Sequence, residues 1–177
     1  GIGVVIGHEM SHGFDDQGRN FDAEGNMTDW WTPEDAAAFN ELTKGLVAQF
    51  DAVEVLPGLH ANGQYTLGEN IGDQGGLRVA YTAFMDSQKA KGVDVKSDSA
   101  KIDGYTPEQV FYMNYANLWA GNLRDEEIRS LTTGDVQSLG VNRVNVTLRN
   151  IAPFLEAFSI KEGDPMYRPA EERVIIW

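Results

Sequence analysis

The chain contains no cysteine, which excludes a disulfide framework, a thiolate metal site and a cysteine nucleophile. Histidine is scarce as well, with only His8, His12 and His60. Any metal must therefore be held by these rings, by carboxylates or by water. Cations are outnumbered: 14 Lys and Arg stand against 27 Asp and Glu, a net charge of −13. That field repels phosphate backbones and anionic lipid head groups, so nucleic acid is not an expected partner. No apolar run reaches the roughly 18 to 20 residues that a membrane span needs, and no basic-then-apolar leader opens the sequence. What remains is ordinary for a folded domain: 177 residues, 42% hydrophobic and 23% charged, enough for one core and one domain.

The opening Gly1-Ile2-Gly3-Val4-Val5-Ile6-Gly7 is apolar on every side and has no capping residue. It reads as a helix buried all round whose beginning lies upstream. Residues 14–31 are polar and glycine-punctuated, as in an ordered loop or short hairpin. Thr32, Pro33, Glu34 and Asp35 are helix-start signals, and Phe39, Leu42, Leu46, Val47 and Phe50 supply an apolar face at helical spacing. A loop is expected from Leu56 to Gly68, then a long helix from Glu69 to about Ala90 and a surface excursion over 92–104. Thr106, Pro107 and Gln109 open an aromatic-rich helix expected to run to about Arg124. The remainder reads as a mixed stretch at Val141 to Leu148, a short helix at Ala152 to Ala157 and a closing strand or coil.

The sharpest chemical signal is His8-Glu9-Met10-Ser11-His12. Residues four apart share a helix face, so both imidazoles can reach one zinc ion at about 2.0–2.1 Å while Glu9 addresses a water. The plain alternative is a helix with two surface histidines. Gly68-Glu69-Asn70-Ile71-Gly72-Asp73 places a carboxylate in the first turn of a helix, with Asp73 four residues further on the same side. Glu69 is a candidate third ligand. Asp73 is a candidate acceptor for the outward N–H of a ligand histidine, the bond that fixes the ring's tautomer and orientation. By itself the pair would be a solvated helix end favoured by the dipole.

These residues resemble the neprilysin-like zinc metallopeptidases, a group that includes endothelin-converting enzyme and bacterial oligopeptidases. Val5 through Arg19 is similar to that family's zinc helix and following loop, and Gly68 through Asp73 to its third-ligand motif. Phe111, Tyr115 and Trp119 resemble its aromatic helix, and Trp177 its closing tryptophan. The resemblance implies one Zn2+ per chain held by His8, His12 and Glu69, with Glu9 as general base, Asp73 orienting His8 and Asp15 orienting His12. It also implies oligopeptide substrates bound by Arg143. Where the family carries a histidine six residues before that arginine, to stabilise the oxyanion, this chain has Gln137. A neutral amide still donates one hydrogen bond there, but not from a cation.

The fold expected is mainly α with a small β component, a zincin-type (thermolysin-like) catalytic domain truncated at its N-terminus and occupying residues 1–177. The upstream portion of the same protein is an expected partner, and extracytoplasmic location, periplasmic, secreted or surface-anchored, follows from family habit. The competing reading is a zinc-binding but catalytically silent relative acting as a binding or structural module. A dinucleotide site at Gly1 to Gly7 fails on glycine spacing, and a calcium loop within residues 15–26 fails the EF-hand ligand pattern.

Overall fold

The computed structural model describes residues 1–177. It contains seven α-helices: α1 Ile2–Ser11, α2 Pro33–Asp51, α3 Leu67–Ala90, α4 Pro107–Leu118, α5 Asp125–Gly134, α6 Gly140–Leu148 and α7 Ala152–Ala157. One antiparallel hairpin, β1 Glu54–Leu56 with β2 Leu59–His60, is the small β component. It turns at Gly58, whose φ of +76° suits a residue without a Cβ.

The start signals act as their chemistry requires. The Thr32 hydroxyl accepts the Asp35 N–H at 3.1 Å with Pro33 in the first turn of α2. At α4 a capping box closes: Gln109 N–H donates to Thr106 Oγ1 at 3.2 Å, and Thr106 N–H donates to Gln109 Oε1 at 3.0 Å. Other expectations are corrected. The aromatic helix stops at Leu118 rather than Arg124, and α5 begins separately on Asp125, Glu126 and Glu127, an acidic first turn that favours a new N-terminus. The stretch from Val141 to Leu148 is the body of α6, and the loop expected from Leu56 contains the second hairpin strand. Of the strand or coil expected for the closing segment, the structure has the coil, which runs around a short 3-10 turn at Ala170–Glu172.

α3 is the axis of the molecule. On one side Leu77 joins Val4, Tyr112, Tyr115, Leu148, Ile151, Phe154 and Leu155 in a cluster fed by α1, α4, α6 and α7. On the other, Leu67 and Ile71 join Phe39, Leu46, Phe50, Val146 and Ile176. The tail is tied down by polar groups rather than by a sheet. Gln74 donates from Nε2 to the Val174 carbonyl at 2.7 Å and accepts the Ile176 N–H at 2.9 Å, and Val174 N–H donates to Asn150 Oδ1 at 3.0 Å.

α1 lies on α3 at backbone contact, and glycine is what permits it. A Cβ on Gly76 would stand 2.4 Å from the His8 nitrogen and 2.5 Å from the Val4 carbonyl; one on Gly7 would stand 2.8 Å from the Gly76 Cα. Further along the same seam, a Cβ on Gly72 would fall 2.9 Å from the His8 ring. The opposite face of α1 is apolar and open, with Ile2, Ile6 and Met10 exposed by 73%, 55% and 67%, so this helix is not buried all round. Of the four tryptophans, none belongs to the fully buried core; Trp30 and Trp177 are exposed by 48% and 39%, and Trp31 and Trp119 are half-buried.

Gly76→Ala is expected to cost about 1–3 kcal/mol in urea unfolding, because a methyl at that point must force two backbones apart. Gly121→Ala, where a Cβ meets nothing within 4 Å, is expected to stay within about 0.5 kcal/mol. Equal losses for the two variants would contradict the contact.

Candidate metal centre

His8 lies in the last turn of α1 and His12 caps its end one turn on, and their rings meet edge to face with centroids 4.6 Å apart. Glu69 enters from the first turn of α3. Its carboxylate oxygens lie 3.2 Å from His8 Nε2 and 3.5 Å from His12 Nε2, and the two Nε2 atoms are 3.0 Å apart. These side chains form one group whose ligand atoms all lie within 4.8 Å of one another.

The far side of each ring determines what the near side can do. His8 Nδ1 stands 3.0 Å from Asp73 Oδ1, and His12 Nδ1 stands 2.7 Å from Asp15 Oδ2. An ionised carboxylate only accepts, so each Nδ1 donates, and in a neutral ring Nε2 is left as a bare lone pair. Two such lone pairs and a carboxylate then face one point. That arrangement is repulsive without a cation between them, and the separations are close to the edge of about 3.3 Å that a tetrahedral N/O site with bonds near 2.0–2.1 Å requires. The donor set, two imidazoles and one carboxylate with both rings oriented by acidic partners, fits zinc.

The acidic partners are themselves held. Asp15 is buried, and its second oxygen accepts the N–H groups of Gln17 at 2.9 Å and Gly18 at 2.6 Å, in a loop so tight that a Cβ on Gly18 would collide with the His12 carbonyl. Asp73 is gripped by Arg143, which donates from Nε to Oδ2 at 2.7 Å and from Nη2 to Oδ1 at 2.8 Å, while Nη2 also lies 3.4 Å from Glu69 Oε2. The guanidinium stacks on Trp119, 3.9 Å from the ring centroid. Thus Arg143 is a buried cation inside the carboxylate cluster rather than a surface one.

The charges respond to one another. Burial works against a charged His8 ring, but hydrogen bonds and charges from Asp73 and Glu69 outweigh it and raise its pKa to about 9 in the metal-free chain. The His8 hydrogen bond, opposed by burial and aided by the charges of His8, Arg143 and His12, holds Glu69 below the usual carboxylate range. Burial also works against the Arg143 cation, and its bonds to Asp73 more than restore it.

Glu9 is exposed one residue beyond His8. Gln137 is exposed too; its N–H donates to Asp135 Oδ1 at 2.9 Å, and the next residue, Ser138, donates to Asn70 Oδ1 at 2.8 Å. This buried bond ties the Gln137 loop to the residue after Glu69. His60 takes no part: its Nδ1 lies 3.0 Å from the Asp51 carbonyl, in the hairpin. Sequence reasoning had no means of finding the Ser138–Asn70 bond. The four-residue spacing of Tyr115 and Trp119 did carry a signal, because Tyr115 Oη donates to the Arg143 carbonyl at 3.0 Å while Trp119 covers the same residue's guanidinium.

Comparison with known proteins agrees with this geometry. The model of peptidase family M13 matches residues 1–174. Human neprilysin is 39% identical over the whole chain, which covers 23% of neprilysin, and the neutral endopeptidase of Lactococcus lactis is 41% identical with 26% covered. The chain therefore spans about a quarter of the length of these relatives. Among solved structures, the zinc metalloprotease Zmp1 of Mycobacterium tuberculosis in complex with an inhibitor superposes with a TM-score of 0.92 at 39% identity, covering all of this chain and 27% of that one. PepO from Lactobacillus rhamnosis gives 0.83 at 36% identity, with 26% of that chain covered.

Because His8 sits at about 9 without metal, it is protonated at pH 7.5 and must lose that proton to become a ligand. Zinc uptake at pH 7.5 is expected to release about one proton, and apparent affinity to rise about tenfold per pH unit until pH approaches 9, then level off. Calorimetry in buffers of different ionisation enthalpy measures the proton count; a count of zero at pH 7.5 would show that His8 is not the ligand.

Proposed function

Because the chain belongs to peptidase family M13, we propose that it supplies the zinc-holding and proton-transferring part of a zinc metalloendopeptidase that hydrolyses oligopeptides. The observation that carries this reading is the convergence of His8, His12 and Glu69 on one point, with both outward ring nitrogens committed to carboxylates.

In this reading His8, His12 and Glu69 hold one zinc ion. When bound, zinc supplies Lewis acidity, polarising the scissile carbonyl and bringing the pKa of water toward about 7. Glu9, exposed beside the ligands, takes the proton of the attacking water and delivers it to the leaving amine. Asp73 and Asp15 keep the rings in the tautomer that presents Nε2. Arg143 has Nε and Nη2 on Asp73, and Nη1 is the nitrogen assigned to a backbone carbonyl of the peptide. Gln137 donates its amide N–H to the oxyanion, neutral where the family pattern has a histidine.

The open apolar face of α1, with Ile2, Ile6 and Met10, is assigned as the seat of a further portion of the same protein, consistent with relatives about four times as long. By analogy with its family we assign the protein a place outside the cytoplasm, in the periplasm, secreted or held at a surface. Within this chain no helix is long and apolar enough to cross a membrane.

A quenched fluorescent peptide tests the reaction. Glu9→Gln is expected to lower kcat by about 10²- to 10⁴-fold with zinc still bound one per chain, and Gln137→Ala by about 10²- to 10³-fold. Stoichiometric zinc with no cleavage that depends on Glu9 would instead favour the silent metal-holding module, the reading that Gln137 in place of a histidine supports.

A further inference from the structure

Asp16 follows the residue that orients His12 and has so far no role. Its Oδ2 accepts the Gln17 amide at 3.1 Å, and its carbonyl accepts the Asn20 amide at 3.1 Å. Its Oδ1 is buried with no hydrogen-bond partner. A buried carboxylate oxygen left without a partner requires a source of compensation.

That source is the start of α3. The helix has no side-chain cap: Thr66, in the capping position, donates its hydroxyl to the Asn62 carbonyl at 3.0 Å and accepts the Asn70 amide at 2.9 Å. The first main-chain bond of the helix runs from Asn70 N–H to the Thr66 carbonyl. The N–H groups of Leu67, Gly68 and Glu69 have no acceptor further back in the helix, and the partial positive charge of the helix end gathers there. The place where a Gly68 Cβ would sit is 3.2 Å from Asp16 Oδ1 and 3.0 Å from Asp15 Oδ2. Since Cα–Cβ bonds in a helix lean toward its N-terminus, both oxygens stand at that positive end. Asp15 is already engaged through both its oxygens; Asp16 Oδ1 is the uncommitted charge.

We propose that Asp16 is a positioning residue of the metal centre: the charge of its carboxylate, standing without a hydrogen bond at the positive end of α3, draws the first turn against the loop after His12 and so sets Glu69 at the distance the two rings need. Glycine at position 68 is part of the same device, because a side chain there would push both carboxylates off the helix end. The inference rests on the zinc reading of the centre.

The test measures zinc affinity of the full chain by competition with a chromophoric chelator, and the visible spectrum of the cobalt(II) form, which reports ligand geometry. Asp16→Ala is expected to weaken zinc binding about tenfold or more. Asp16→Asn, which keeps the shape and loses the charge, is expected to fall between Asp16→Ala and the parent and remains informative if the alanine variant does not fold. Both are expected to change the cobalt spectrum. Affinity within twofold of the parent in Asp16→Asn and Asp16→Ala alike would overturn the proposal, as would weakened binding with an unchanged cobalt spectrum, since Glu69 would then not have moved. A parent chain that takes up no zinc would overturn the reading of the centre itself.

Discussion

Two helix backbones in direct contact are the constraint on which the rest of this structure depends. Where Gly7 of α1 meets Gly76 of α3, any side chain would collide with main chain, and the approach of these helices sets how far Glu69 stands from His8 and His12. Sites built on rigid elements hold their geometry better than sites on loops. Here His8 lies in α1, His12 caps its end and Glu69 lies in the neighbouring helix, so the spacing of the three side chains is a property of helix packing. The glycines lower the intrinsic helical preference of both segments. The loss is offset by apolar burial along α3, where Leu77 feeds one core cluster and Leu67 and Ile71 feed the other.

The same close approach concentrates charge. Asp73, Glu69 and the His8 ring lie together with Arg143 beneath the surface, and their pairing offsets the cost of holding charge away from water. Arg143 reaches the cluster from α6, covered by Trp119 from the end of α4, so elements late in the chain stabilise carboxylates presented by α3. In this light Arg143 has a double assignment: it grips the residue that orients His8, and in the proposed reaction it meets substrate. In the proposed reaction a change at this one residue would act on the metal centre and on substrate binding together.

Much of the site was legible in the sequence because its spacing is local. A helix brings residues four apart to one face, so His8 with His12 and Glu69 with Asp73 each declared a shared direction. Thr32 and Thr106 declared helix starts through neighbours three residues away. Less legible was anything resting on an exposed or extended segment. The closing residues carry Val174, Ile175 and Ile176 and read equally as strand or coil; the backbone partners of Val174 and Ile176 are the side chains of Gln74 and Asn150. The acidic start of α5 carried a helix signal, but Ile128 and Leu131 are its only large apolar residues, a stripe too short to stand out as a period.

The sequence by itself determined which atoms were available, two imidazoles one turn apart, a carboxylate at a helix start and a second acid one turn beyond it, because helical geometry acts between near neighbours whatever surrounds them. Only the tertiary structure decided that these pairs face one another, that Asp73 is spent on both His8 and Arg143, and that the loop with Gln137 is tied to Asn70. Those contacts join residues far apart along the chain and depend on how closely two backbones approach, a distance fixed by the absence of a few methyl groups at Gly7, Gly72 and Gly76. Neither periodicity nor composition records which surfaces such glycines will meet.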